Sequence, residues 1–174
     1  MEEKYYHTKA SVVEYINLAK DVDGRKLIDK LLLALGSKSR VLELGSGPGT
    51  DYSILKKSYE VIGSDNSNEF LEHLKNSYPK DYFLNLDAST LISDERFDGI
   101  YSNKVLHHLN DDDLLRSVKR QSELLKEQGV ICHSFWSGEG SEVFKGLFVN
   151  YHTEEHLRLV FDDCFEVLSI DSYN

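Results

Sequence analysis

The densest chemistry in the chain lies between Val41 and Asp51, VLELGSGPGTD. An apolar run leads into G-x-G-x-G at Gly45, Gly47 and Gly49, a turn whose backbone can approach a ligand closely because no Cβ intervenes. Ser46 stands inside the loop, and a helix is expected to follow it with free N–H groups turned toward the same ligand. Glu43 sits two residues before the first glycine. Beside a pyrophosphate that carboxylate repels; beside a cation it attracts. A nicotinamide or flavin dinucleotide fits badly for a second reason: its G-x-G-x-x-G pattern requires glycine where this chain has Thr50. The loop therefore suits a positively charged ligand without phosphate. Asp65 ends the next apolar run, followed by Asn66. A carboxylate accepting from two ribose hydroxyls belongs at such a strand tip, about 20 residues past the glycine loop. The competing role for Asp65 is capping the following helix together with Ser67.

S-adenosylmethionine carries an α-ammonium, a sulfonium and no phosphate, and so suits Glu43. At this point the residues resemble a family. ELGSGPG resembles motif I of the class I S-adenosylmethionine-dependent methyltransferases, and the likeness continues in order over most of the chain. Gly63-Ser64-Asp65 resembles the acidic end of the family's second strand, which binds the ribose hydroxyls. Leu86-Asp87-Ala88 resembles the segment that meets the adenine. Phe97 to Leu109, FDGIYSNKVLHHL, resembles the fourth strand and the loop after it. The resemblance implies cofactor contacts from Glu43, Gly45, Ser46, Gly47, Gly49, Asp65, Asn66, Asp87, Ala88 and Asn103. Tyr6 joins them, because in related enzymes the N-terminal segment folds over the cofactor. Asp87 has an alternative role as a turn-forming acid after a strand, and Phe70 is expected in the core.

Methyl transfer from a sulfonium is an in-line displacement in which positioning supplies much of the rate. A general base is needed only where the nucleophile holds its proton. His107 and His108 are the candidates, since histidine titrates near neutrality and both follow the fourth strand. The bland alternative makes one a satisfied structural histidine beside Leu106 and Leu109. Tyr5, Tyr6 and His7 offer aromatic faces for a sulfonium or anchors for a terminus. The loop Ser134–Gly140, with Trp136, and the stretch Phe148–His152 are positioned to choose an acceptor; Tyr151 and His152 are not ranked. No metal is called for.

These residues need a parallel sheet to position them. Short apolar runs alternate with amphipathic helices, the pattern of an α/β protein. Strands are expected at Arg40–Gly45, Tyr59–Asp65, Tyr82–Asp87, Phe97–Asn103, Gly129–Trp136 and Phe165–Asp171. Helices are expected at about Lys9–Lys20 and Gly24–Leu35, after Ser67, from Asn110 until Gly129, and after Thr153. The fold class is thus α/β: a Rossmann-like, doubly wound, mostly parallel sheet with helices on both faces. Residues 1–36 form a helical N-terminal cap and 37–174 the core of a single domain. The family's last antiparallel strand is expected to be missing or incomplete, unless Val143–Val149 supplies one. An exposed sheet edge would then invite a homodimer.

The 174 residues carry 20 Lys and Arg against 30 Asp and Glu, a formal charge of −10. That balance disfavours nucleic acid and anionic membrane surfaces, which recruit clustered basic residues. Cys132 and Cys164 make neither a disulfide framework nor a promising metal site. The N-terminus lacks the basic and apolar regions of a secretory signal, so a cytoplasmic protein is expected. The resemblance implies a methyltransferase acting on a small-molecule acceptor and leaving S-adenosylhomocysteine. The alternatives are methylation of a protein, or a non-catalytic cofactor-binding sensor or partner subunit.

Overall fold

The computed structural model describes residues 5–173. Five strands form the main sheet: β1 Arg40–Leu44, β2 Glu60–Asp65, β3 Phe83–Asn85, β4 Phe97–Ser102 and β5 Leu125–His133. All pair in parallel, in the order β3-β2-β1-β4-β5. The chain therefore starts in the middle, winds out through β2 to β3, and crosses back to β4 and β5. A sheet wound in both directions leaves a crevice at the carboxyl ends of its two inner strands, here β1 and β4.

Alternation along the strands sends side chains into two separate cores. Val41, Val61 and Tyr101 pack on one face with α2 (Arg25–Ala34), α3 (Thr50–Leu55) and α4 (Asn68–Ser77). Leu42, Ile62 and Ile100 pack on the other with α5 (Asp111–Leu124) and α6 (Glu154–Phe161). Strands covered on both sides read as near-continuous apolar runs, which is why β1, β2 and β4 were legible. Ahead of them, a 3-10 turn at Tyr5–His7 and α1 (Lys9–Leu18) lead into α2. Helix starts follow side-chain capping: Thr8, Ser67, Asn110 and Thr153 each accept from a backbone N–H three residues on. Among the described residues no helix is long and apolar enough to cross a membrane.

Three expectations are corrected. The helix capped by Asn110 stops at Leu124, well before Gly129, because buried Leu125 already pairs with Phe97. The ladder then slips, resuming at Gly99–Val130, with Gln128 in the left-handed region. Residues 165–171 form no strand. They have no ladder partner among the described residues, and Phe165 and Val167 pack against the core instead. Val143–Val149 adds nothing to the main sheet: β6 (Ser141–Phe144) and β7 (Leu147–Asn150) form their own antiparallel hairpin. Its turn, Lys145-Gly146, has positive φ at both residues, the conformation that matches the twist of a two-residue hairpin. The incomplete sheet was anticipated; the separate hairpin was not.

Candidate active site

The glycine loop leaves β1 at the crevice. Gly45 has φ +61°, and a Cβ there would lie 2.6 Å from a methyl carbon of Val105, so backbone conformation and packing both demand glycine. Glu43, the residue before Leu44, is buried, and its carboxylate accepts from the Ser46 hydroxyl at 2.8 Å. No cation pairs with it among the described residues. Burial pushes this carboxyl up to about 8, Asp51 and Asp65 pushing the same way and the Ser46 hydrogen bond opposing.

Asp51, which the sequence reading quoted without a role, is the hub of the site. Its carboxylate accepts from the Gly24 backbone N–H at 2.7 Å, the Tyr101 hydroxyl at 2.7 Å and the Asn103 amide at 3.1 Å. Asn103 in turn accepts from the Ser134 hydroxyl at 2.6 Å, and that hydroxyl accepts from the Lys104 N–H at 2.9 Å. One polar chain thus joins the N-terminal helices, α3, β4 and the loop after β5. It also leaves no room at Gly24, where a Cβ would stand 2.3 Å from the Tyr101 hydroxyl oxygen.

His107 and His108 close a 3-10 turn at Leu106–His108, with ring centroids 4.2 Å apart. His108 Nδ1 donates to the Phe148 carbonyl of β7 at 2.8 Å, leaving the lone pair on Nε2. Burial holds His108 below the ordinary histidine value and pushes His107 down to about 3. Both rings are therefore neutral at physiological pH. By contrast, His133 is a satisfied structural histidine, its nitrogens bonded to Ser102 and Gln121 at 2.7 Å each.

Of the residues singled out in the sequence, Tyr6, Glu43, Gly45, Ser46, Asn103, His107 and His108 line one cavity of about 540 Å³. Gly47, Gly49, Asp65, Asn66, Asp87 and Ala88 lie outside its wall. Asp65 does sit at the tip of β2, yet its carboxylate accepts from the Gly47 and Ser67 N–H groups, both at 2.9 Å. Tyr6 lies close by: its carbonyl accepts from the Ser67 hydroxyl, and its ring packs on Tyr15 and Phe70. Phe70 is buried, as expected. Asn66 is exposed; Asp87 accepts from the N–H and hydroxyl of Ser89 in a turn, and Ala88 packs on the core.

Tyr5, Trp136, Val149 and Tyr151, from stretches the sequence had marked for the sulfonium or the acceptor, also line it. Tyr15 and Leu18 of α1 and Glu142, Phe144, Lys145 and Leu147 of the hairpin were missed by sequence reasoning. Lys145 at the hairpin turn pairs with Glu14 of α1 at 3.1 Å, so the two walls touch across the mouth. The available signal was the pair of alternating runs on either side of Lys145-Gly146.

A methyltransferase-domain family model matches residues 41–129, which contain the glycine loop, Asp65, Asp87 and the histidine pair. Trans-aconitate 2-methyltransferase of Enterobacter sp. (strain 638) is 31% identical over 103 residues, 58% of this chain; the chain spans only 40% of that relative's length. Among solved structures, an S-adenosylmethionine-dependent methyltransferase from Clostridium acetobutylicum superposes with a TM-score of 0.72 at 18% identity, covering 88% of this chain and 85% of that one. The Burkholderia thailandensis 1,6-didemethyltoxoflavin-N1-methyltransferase, solved with bound 1,6-didemethyltoxoflavin and S-adenosylhomocysteine, gives 0.71 at 23% identity over 90% and 75%. At these identities the structures speak for the fold, and the family match speaks for descent: the chain belongs to the class I S-adenosylmethionine-dependent methyltransferases.

Proposed function

We propose that the chain is an enzyme that transfers the methyl group of S-adenosylmethionine to a small-molecule acceptor, leaving S-adenosylhomocysteine. One observation carries the reading: Glu43, a buried carboxyl with no paired cation among the described residues, stands beside a glycine loop in the wall of an aromatic cavity. That donor set fits the cofactor. A carboxyl whose burial opposes ionisation gains most from a cationic group, and Gly45 lets the backbone approach it. When bound, S-adenosylmethionine supplies a methyl group on a sulfonium that already carries its leaving group.

In this reading Glu43 takes the α-ammonium, and Gly45, Ser46, Gly47 and Gly49 shape the cradle. Asp65 and Asn66 serve the ribose, Asp87 and Ala88 the adenine. Asn103, held by Asp51 and Ser134, orients the methionine end, while Tyr6 covers the site. His108 is the better general base of the two histidines, because the Phe148 carbonyl keeps the proton on Nδ1 and the lone pair on Nε2. His107, held at about 3, is a neutral hydrogen-bonding wall. The cavity volume falls within the roughly 300–1,000 Å³ of small-molecule sites, which supports a compact acceptor over a protein side chain. The trans-aconitate and toxoflavin-precursor methyltransferases act on small molecules, and lend the same support.

The same reading takes residues 1–36 as a cap on a core at 37–174, within one domain. It also takes the protein as cytoplasmic, since both cysteines are free, and as binding neither nucleic acid nor membrane, given its charge of −10. A homodimer through the edge strand β5 completes it; a single monomeric species in sedimentation would remove that part. Calorimetric titration with S-adenosylhomocysteine, followed by labelled methyl transfer into fractionated extract, tests the activity. Label in a low-molecular-mass product is expected. Label on a polypeptide, or tight binding without turnover, would favour the protein methyltransferase or the sensor.

A further inference from the structure

Away from the cavity's polar hub, three side chains that the proposed activity does not use converge where the hairpin ends. His152 follows β7, His156 lies in the first turn of α6, and Asp111 opens α5. The imidazoles are four residues apart and stack with centroids 5.0 Å apart and planes inclined by 20°. Their Nδ1 atoms are 3.1 Å apart. Asp111 Oδ1 stands 3.9 Å from His156 Nε2, and one ligand atom from each of the three residues lies within 4.8 Å of the others.

We propose that Asp111, His152 and His156 form a site for a divalent transition-metal ion, with zinc the best match to two imidazoles and a carboxylate. Zinc–nitrogen bonds of about 2.0–2.1 Å at tetrahedral angles separate neighbouring ligand atoms by about 3.3 Å, close to the spacing of the two Nδ1 atoms. A shared proton would also hold that pair, but it gives the carboxylate no part. Asp111 is the adjustable member, with its side chain 61% exposed, so rotation of its carboxylate closes the set.

The surroundings are built to hold these groups. The His152 N–H donates to the Trp136 carbonyl at 3.0 Å, and its carbonyl accepts from Gly138 N–H at 3.2 Å, which fixes its backbone on both sides. The His156 N–H is capped by the Thr153 hydroxyl at 3.1 Å. Asn150 donates to Asp111 Oδ1 at 2.9 Å, orienting the carboxylate as outer-shell partners of metal ligands do. His152 itself is buried. The ion fastens the exit of the β6–β7 hairpin to the starts of α5 and α6. It steadies the wall of the cavity rather than entering it.

The spacing H-x-x-x-H at 152 and 156 was present in the sequence; its third ligand, Asp111, lies 41 positions before His152 and only the fold brings it near. Tag-free protein titrated with Co²⁺ alone, in place of zinc, is expected to show one equivalent bound with the visible band of a low-coordinate ion. Zn²⁺ is expected to compete it away and to raise Tm. His156→Ala and the isosteric Asp111→Asn should each weaken Co²⁺ binding by about 10–100-fold or more while metal-free Tm and circular dichroism stay near the parent's. No visible band in excess Co²⁺, or binding unchanged in both variants, overturns the site. Neither result touches the methyltransferase reading, which rests on other residues.

Discussion

Glu43 is an acid held where its charge is costly. In the folded chain its proton leaves near pH 8, against an ordinary value of 4.5. Between those values the folded protein binds more protons than the unfolded one. Its contribution to stability is therefore full below pH 4.5 and is lost as pH rises toward 8. We expect Glu43→Gln to flatten that decline in a profile of Tm against pH; an unaltered slope would contradict the assignment. A bound cation reverses the preference, so cofactor binding at pH 7 should release a proton. Calorimetry in buffers of different ionisation enthalpy reads that release, and Glu43→Gln should abolish it. Asp51 gathers three donors in a buried setting. Asp51→Ala strands them, at an expected cost of about 3 kcal/mol in urea unfolding, since each unmet buried group costs roughly 1–3 kcal/mol. The roles of these two acids were unequally legible. Glu43 could be read from its place beside a glycine loop, because chemistry two residues away is local. Asp51 could not, because its partners stand 27, 50 and 52 positions distant.

The β6–β7 hairpin is the element on which the cavity most depends and the one least supported by the core. All four residues of β6 are exposed, and Val143 is 69% exposed. Its tie to α1 through Lys145 and Glu14 is a half-exposed ion pair, screened by solvent and weak. The turn itself therefore has to hold the register. Gly146, at φ +77°, is replaced by a β-branched residue only with strain of roughly 1–2 kcal/mol. We expect Gly146→Val to speed amide exchange at 141–150 and leave β1 and β4 unchanged; uniform exchange across the chain would show that the hairpin is not an independent unit. The sequence reading offered 143–149 only as an alternative source of the missing sheet strand. Alternation specifies a strand and not its partner, and the positive φ of Lys145 is invisible without a telltale Asn. The same lack of a partner explains residues 165–171, whose pattern suits a strand and whose position offers no ladder.

At the scale of the whole molecule, stability rests on two cores separated by one sheet, and β1 feeds both. Leu42 is fully buried, so Leu42→Ala is expected to cost roughly 2–5 kcal/mol by urea unfolding. Leu33 on α2 is 90% exposed, and the same truncation there should stay within about 0.5 kcal/mol. Near-equal losses would mean that the two-core description is wrong. This level of the architecture was the most legible, because runs covered on both faces leave little else for the chain to become. The doubly wound plan followed from repeated β-α units. What the pattern did not carry was the point where β5 begins, since a slipped ladder inserts polar residues into an otherwise apolar run.

The contact between His108 and the hairpin runs to a backbone carbonyl, that of Phe148, rather than to a side chain. A carbonyl at that position is supplied by every amino acid. Side chains at 147–149 can therefore change while the imbalance between the two ring nitrogens persists, so long as the hairpin keeps its backbone. With His108 as the proposed base, its tautomer and the shape of the cavity wall are thus inherited separately, and a library randomised at Leu147 and Val149 could seek new acceptors without retuning that proposed base.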